Sequence, residues 1–259
     1  MFKFRDWIDP ERMGYEYLSQ NPKAIRFLEQ NPDKIRNSHL CLNPAAIHIL
    51  EKTPRRIDWS YLSENPAAIH MLEKNPHRID WSYLSKNPAA IHLLEKNPDK
   101  IDWNLLSTNP SAMHLLEQNQ DKVNWGNLSF NPNPKIIPML KKNMEKINWF
   151  WLSKNPISIP LLEENLQKIH WGMLCTNPAA IHLVEKNLDK IHWFWLCRNP
   201  AAIHLLEQNQ DKIDWGNLSF NPAIFEYDYK AMTRPFTEEL MQNRFHPKNI
   251  DRFESWGFE

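Results

Sequence analysis

Glycine is scarce in this 259-residue chain: only Gly14, Gly126, Gly172, Gly216 and Gly257 are present. Five scattered glycines cannot build a GxxxxGK phosphate loop or a GxGxxG dinucleotide turn, and neither string occurs. The shortage also argues against a β-sandwich or barrel, whose tight turns favour glycine. Cysteine is nearly absent. The odd, low set of Cys41, Cys175 and Cys197 is no disulfide framework and points to a reducing compartment. No apolar run approaches the ~18 residues that a membrane helix needs. The opening MFKFRDWIDPERMG lacks the apolar segment of a secretory signal. An excess of either charge is missing as well: 31 Lys and Arg balance 31 Asp and Glu. That balance removes a polybasic nucleic-acid wrapper or membrane-surface protein as the default reading. The expectation is a soluble intracellular protein with neither a membrane nor a nucleic-acid partner.

Proline (20) and tryptophan (12) are plentiful, and both fall on a repeat. Trp59, Trp81, Trp103 and Trp125 are spaced by 22 residues, as are Trp149, Trp171, Trp193 and Trp215. The step between the two sets is 24, because Asn131-Pro132 is followed by a second pair, Asn133-Pro134. Tyr15 and Asn37 hold the Trp slot in two degenerate upstream copies. The unit reads I-D-W-x-x-L-S-x-N-P-A-A-I-H-L-L-E-K-N-P-D-K. It predicts a repeat array over 15–222, with nine full copies, one partial copy and an insertion near 131–134 that should disturb the stack.

Fourteen prolines follow an asparagine. At the head of PAAIHLLEK, Asn is a favoured N-cap and Pro a favoured first helical residue. The helix must end near the second Asn, since a residue before Pro avoids helical geometry. A shorter helix over W-x-x-L-S-x is capped by residues such as Asp58, Asp80 and Asp102. Two short helices per repeat are marginal alone in water and must be held by stacking. The predicted fold is therefore all-α: an elongated, right-handed solenoid or superhelix of 22-residue repeats. At ~8–10 Å per repeat it would form a rod or arc on the order of 80–100 Å long. Helical caps are expected at 1–14 and at 223–259, the latter from TEELMQNRF and KNIDRFESWGF.

Chemistry-bearing residues mostly sit in repeated slots, so they carry structural duties first. The Trp column reads as core. The three cysteines replace a small residue in a packed seam. His48, His70, His92, His114, His182 and His204 each precede a Glu by three residues, on one helix face. That row is either a set of ligand sites or a solvated face hydrogen-bonded to neighbouring repeats. Two ligands per repeat fall short of a four-coordinate metal. A Lys or Arg column, from Lys34 to Lys212, suggests a charge ladder with the Glu column. The non-repeated ends show no spacing for a triad, a zinc site or paired carboxylates. No catalytic, metal or cofactor-binding residue is assigned, and no enzyme activity is expected.

Two slots depart from the pattern. Phe150-Trp151 and Phe194-Trp195 follow the Trp slot where other copies carry pairs such as Ser60-Tyr61 or Gly126-Asn127. These four aromatics are either anchors for a protein partner or fillers of a groove inside the bend.

The array of W-x-x-L-S-x-N-P-A-A-I-x-L-L-E-x-N-P-x-K units, with the tail EEL…HPKNIDRFESWGF, resembles repeat proteins of giant DNA viruses over 15–259. The resemblance implies a viral origin, residence in host cytoplasm and no established enzymatic activity. It carries over no functional residues. The function expected is a non-enzymatic protein-interaction scaffold with viral or host partners. A structural component of the virion is the alternative. A repeat-coded nucleic-acid binder is a third reading, which lacks the basic excess such proteins use.

Overall fold

The structure is a computed structural model that describes residues 2–242. Most repeats are built as a Trp-led α-helix, an Asn-Pro 3-10 turn, a five- or six-residue α-helix and a second 3-10 turn. In the third copy these are Trp59–Glu64, Pro66–Ala68, Ile69–Lys74 and Pro76–Arg78. The PAAIHLLEK segment is thus a 3-10 turn leading into a short α-helix, not one continuous helix. The reason is Pro at N1, after which the first turn closes as i→i+3 bonds.

Asn65 holds this geometry and does more than cap. Its Oδ1 accepts from the Ala67 N–H at 3.0 Å. Its Nδ2 donates to the Cys41 carbonyl of the preceding repeat at 2.8 Å. The same side chain in the next copies, Asn87 and Asn109, donates to two carbonyls each, at 2.9 and 3.0 Å. Every one of these asparagines is buried. A parallel ladder runs through the Ser slot. Ser63 Oγ donates to its own helix at the Trp59 carbonyl and accepts the Asp80 N–H of the next repeat.

Both ladders close. Asn21, in the first copy, donates to the Ser219 and Asn221 carbonyls of the last, at 3.2 and 3.3 Å. The Gly14 N–H donates to Ser219 Oγ at 2.8 Å. These are the rungs that an eleventh repeat would make with the tenth. The all-α repeat solenoid is present, but its ends meet. A ring replaces the open rod or arc, and each repeat turns the chain through one tenth of a circle.

Closure reassigns the expected end caps. Asp9-Pro10-Glu11-Arg12-Met13-Gly14-Tyr15 occupies the N-P-D-K-I-D-W slots, with Asp9 Oδ1 capping the Pro10–Arg12 turn. The leading segment is therefore the end of a repeat and not a separate helical cap. In the tenth copy the second helix is missing. Its place is taken by β1 (Phe2–Phe4), paired antiparallel to β2 (Phe225–Tyr227). Phe4 stacks on Phe225 at 4.4 Å and meets Phe27 edge-on at 5.2 Å, and Arg26 reaches Asp228 across the junction. A helix over Tyr229–Gln242 follows. The helix expected in KNIDRFESWGF lies outside the described residues.

The insertion does not interrupt the ring. Asn155 still reaches the Ser129 and Asn131 carbonyls, at 3.1 and 2.8 Å. The added pair lies outside the ladder, where Asn133 caps Lys135 and donates to the Pro110 carbonyl.

Fully buried leucines form the core, two per repeat: Leu62 and Leu72, Leu84 and Leu94, Leu106 and Leu116. Ala68 and Ala90 fill the space between the layers. The Trp column is only half-buried, contrary to its reading as core. Each of most Trp rings is covered by the cation of the next repeat, as Lys122 covers Trp103 at 4.6 Å and Lys190 covers Trp171 at 4.4 Å. The cation column thus stacks on indoles instead of pairing with the Glu column. At the junction Arg12 covers Trp215 at 4.2 Å.

The closed ladder predicts that position along the chain does not matter. Asn109→Ala should cost about 3–5 kcal/mol, from one lost cap and two carbonyls left without a donor. Asn21→Ala should cost the same within about 1 kcal/mol, although it lies in the first repeat, where an open array frays cheaply. Denaturant titration of both variants measures this. A near-neutral Asn21→Ala would mean that the ring is open.

Candidate functional site

The concave face of the ring is made by three slots: the residue two after Trp, the residue before the ladder Asn, and the Pro after it. The first two are not needed in the leucine core and vary from copy to copy, whereas the third is Pro in all ten. Around part of the ring these side chains pack on one another. Tyr17 lies against Phe220 at 4.1 Å and edge-on to His39 at 6.1 Å. Tyr61 and Tyr83 follow with centroids 5.8 Å apart. Arg198 lies over Phe220 at 4.0 Å and over Trp195 at 5.6 Å, and donates to Asn217 Oδ1.

Between the third and seventh repeats this face is open. A cavity of about 580 Å³ is lined by Leu105, Thr108, Phe130, Trp151 and Lys154, with Glu64 and Lys86 at one end. Glu64 and Lys86 neutralise each other at 3.0 Å. Lys154 has no carboxylate within ion-pair reach among the described residues; its Nζ lies 5.1 Å from the centre of the Phe130 ring. Burial pushes the Lys154 ammonium below its usual 10.5, and the positive charge of Arg198 pushes it the same way.

The structure splits each aromatic pair singled out in the sequence. Phe150 and Phe194 stand exposed on the rim, the former against the His170 ring at 4.7 Å. Their neighbours face the concave side, where Trp151 is still exposed at 37%. Trp151 packs beside Phe130 at 5.7 Å, on the cavity wall. Trp195 is half-buried and lies over the repeat between the pairs: a Cβ built on Gly172 would be 3.3 Å from Trp195 Cδ1. The glycine at 172 is what leaves room for that indole. At His39, Tyr61 and Tyr83 the rings of consecutive copies on this face are about 6 Å apart, tighter than ordinary helix spacing.

Sequence reasoning passed over Lys154, Phe130 and Arg198. A signal was present: the slot before the ladder Asn reads Glu64, Lys86, Thr108, Phe130, Lys154 and Thr176 in successive copies, the least repetitive position of an otherwise monotonous unit.

The His row resolves as an inter-repeat ladder. His70 Nε2 lies 2.9 Å from Glu51 Oε1 and His92 Nε2 2.9 Å from Glu73 Oε1, each reaching the preceding repeat and not the Glu of its own helix. Pro138 and Pro160 break the row, and there Lys141 reaches Glu164. Among the described residues no group of three or more His, Cys, Asp or Glu side chains is placed to hold a metal ion. No described helix is long and apolar enough to cross a membrane. Searches with protein-family models, curated proteins and solved structures find no match.

The cysteines take over the Ser ladder. Cys41 Sγ accepts the Asp58 N–H and Cys175 Sγ the His192 N–H, both at 3.4 Å. Burial pushes the Cys41 and Cys197 thiols up to about 11, with Cys175 shifted the same way. At pH 8 only about one Cys41 in a thousand is then a thiolate. The folded protein should therefore leave a chromogenic disulfide reagent untouched over an hour, and release three equivalents in strong denaturant. Prompt reaction of the folded chain would mark one thiol as exposed and available for chemistry.

Proposed function

We propose that this chain is a non-enzymatic interaction scaffold of a giant virus: a ring that presents side chains to protein partners in host cytoplasm. The observation that carries this reading is the division between employed and unemployed side chains. Asn, Ser, Cys, His, Glu and Lys of the repeat mostly bond or stack on the adjacent repeat. Phe194, at 51% exposure, makes no ring contact with an adjacent repeat among the described residues, and Phe150, at 38%, meets only the His170 ring; other copies hold Glu, Ser, Asn or Gly there. Exposed large aromatics on a rigid frame supply contact area at low entropic cost, which suits hot-spot residues. Residence in the virion as a structural component remains the competing assignment, and mass spectrometry of purified particles separates the two.

Phe150→Ser with Phe194→Ser tests the surface directly. Ser already occupies this slot at 38, 60 and 82, so the unfolding midpoint should shift by less than about 1 kcal/mol equivalent. Partners captured on the wild-type ring from infected cells should be lost or weakened by at least about tenfold. A double variant that captures the same partners as well as the wild type removes these aromatics from the binding surface.

A further inference from the structure

The open part of the concave face has the composition of a small-molecule site, and nothing in the ring's own packing uses it. Its volume, about 580 Å³, lies inside the range of roughly 300–1,000 Å³ typical of such sites. The walls are flat and apolar: the Phe130 and Trp151 rings, Leu105, and the rings of Pro110, Pro132 and Pro156. One uncompensated charge faces this wall. Lys86 is spent on Glu64, whereas Lys154 is half-buried against Phe130 with no carboxylate partner among the described residues. Arg198 adds a second positive charge to its surroundings. Repeats eight to ten fill the corresponding space with their own side chains: Met173 is buried, and Arg198 is sandwiched by Trp195 and Phe220. Repeats five to seven, where Leu105, Asn127 and Trp151 hold the slot two after Trp, leave this space open.

We propose that this cavity binds a flat aromatic monoanion, with its ring on the Phe130–Trp151 wall and its anionic group at the Lys154 ammonium. Burial of an aromatic ring supplies affinity in proportion to the apolar area covered. A half-buried ammonium lacking a counter-ion selects for negative charge, because an anion placed there restores what burial removed. A cationic analogue meets Lys154 and the Arg198 field as repulsion. The Asn127 amide, on the lining, gives one N–H to the Asn104 carbonyl and keeps a second that can donate to an anion's other oxygen. The inference is independent of the partner-binding surface on the rim.

The test is calorimetric titration of the intact chain with three probes of one shape: 2-naphthoate, 2-naphthalenemethanol and 2-naphthylmethylammonium. Naphthoate should bind saturably, one per chain, with the alcohol weaker by at least about tenfold and the ammonium showing no heat of binding. Lys154→Met should lower naphthoate affinity by at least about tenfold, and Lys154→Arg should keep it within about threefold. Leu105→Trp should abolish binding by filling the space. If Lys154→Met does not fold, Thr108→Asp takes its place, since a carboxylate on the same wall should also remove affinity for the anion. Equal binding of naphthoate and the ammonium would overturn the proposal. So would naphthoate affinity unchanged in Lys154→Met, or no saturable binding up to about millimolar probe. None of these substitutions touches Phe150 or Phe194, so failure here leaves the rim assignment standing.

Discussion

A single side chain, the first asparagine of each repeat, sets the geometry of the ring. An asparagine amide carries one acceptor and two donors on a short stem. Here the acceptor caps its own 3-10 turn, as Asn87 Oδ1 does for Ala89. The Nδ2 donates into the previous repeat. The inner layer is thereby pinned at hydrogen-bond distance, while the outer layer is spaced by leucines, stacked indoles and lysines. A unit narrow on one side and wide on the other is a wedge, and ten wedges complete a circle. Glutamine would reach too far and aspartate has no donor, so the residue type follows from the geometry.

The rest of the repeat is arranged around that constraint. Proline after Asn forces the turn that aims the amide. Serine two residues earlier carries the second ladder, and cysteine can replace it only because a thiol of similar size can still accept an N–H, at a longer 3.4 Å. Core leucines are repeated almost without change because each must fill the same hole. Lysine over indole closes the outer seam between repeats, a contact worth about 0.5–1 kcal/mol at exposed sites. What remains free to vary is the concave lining and the rim, which is why ligand and partner chemistry concentrate there.

Much of this was legible in the sequence. The 22-residue period and the Asn-Pro caps gave the all-α repeat architecture, because local propensity and period point the same way in every copy. Closure was not legible, for a physical reason: curvature is the difference between inner and outer spacing, and one-dimensional pattern carries no such difference. A clue was nonetheless present at the N-terminus. Asp9-Pro10-Glu11-Arg12 matches the second turn of a repeat, the turn that the tenth copy does not supply itself. The aromatic pairs at 150–151 and 194–195 were picked out by their departure from the pattern. Their split between rim and concave wall depends on the helical rotation between adjacent residues, about 100°. Lys154 escaped notice because a lysine in a variable slot looks like any solvated lysine until its surroundings are known.

Closure also changes what the ends of a repeat protein must do. An open solenoid exposes two apolar faces and covers them with dedicated caps. In the ring each face is covered by the other, and the junction needs only a substitute for one missing helix. The β1–β2 pair supplies it, with Lys3 reaching Glu226 at 3.0 Å and Phe4 filling the layer where an Ile or Leu would sit. Strands succeed at this one position because the two chain ends arrive there side by side and antiparallel, so backbone can satisfy backbone. Within the ring the number of repeats is no longer free. One more wedge or one fewer would separate Asn21 from Asn221 and open the ladder.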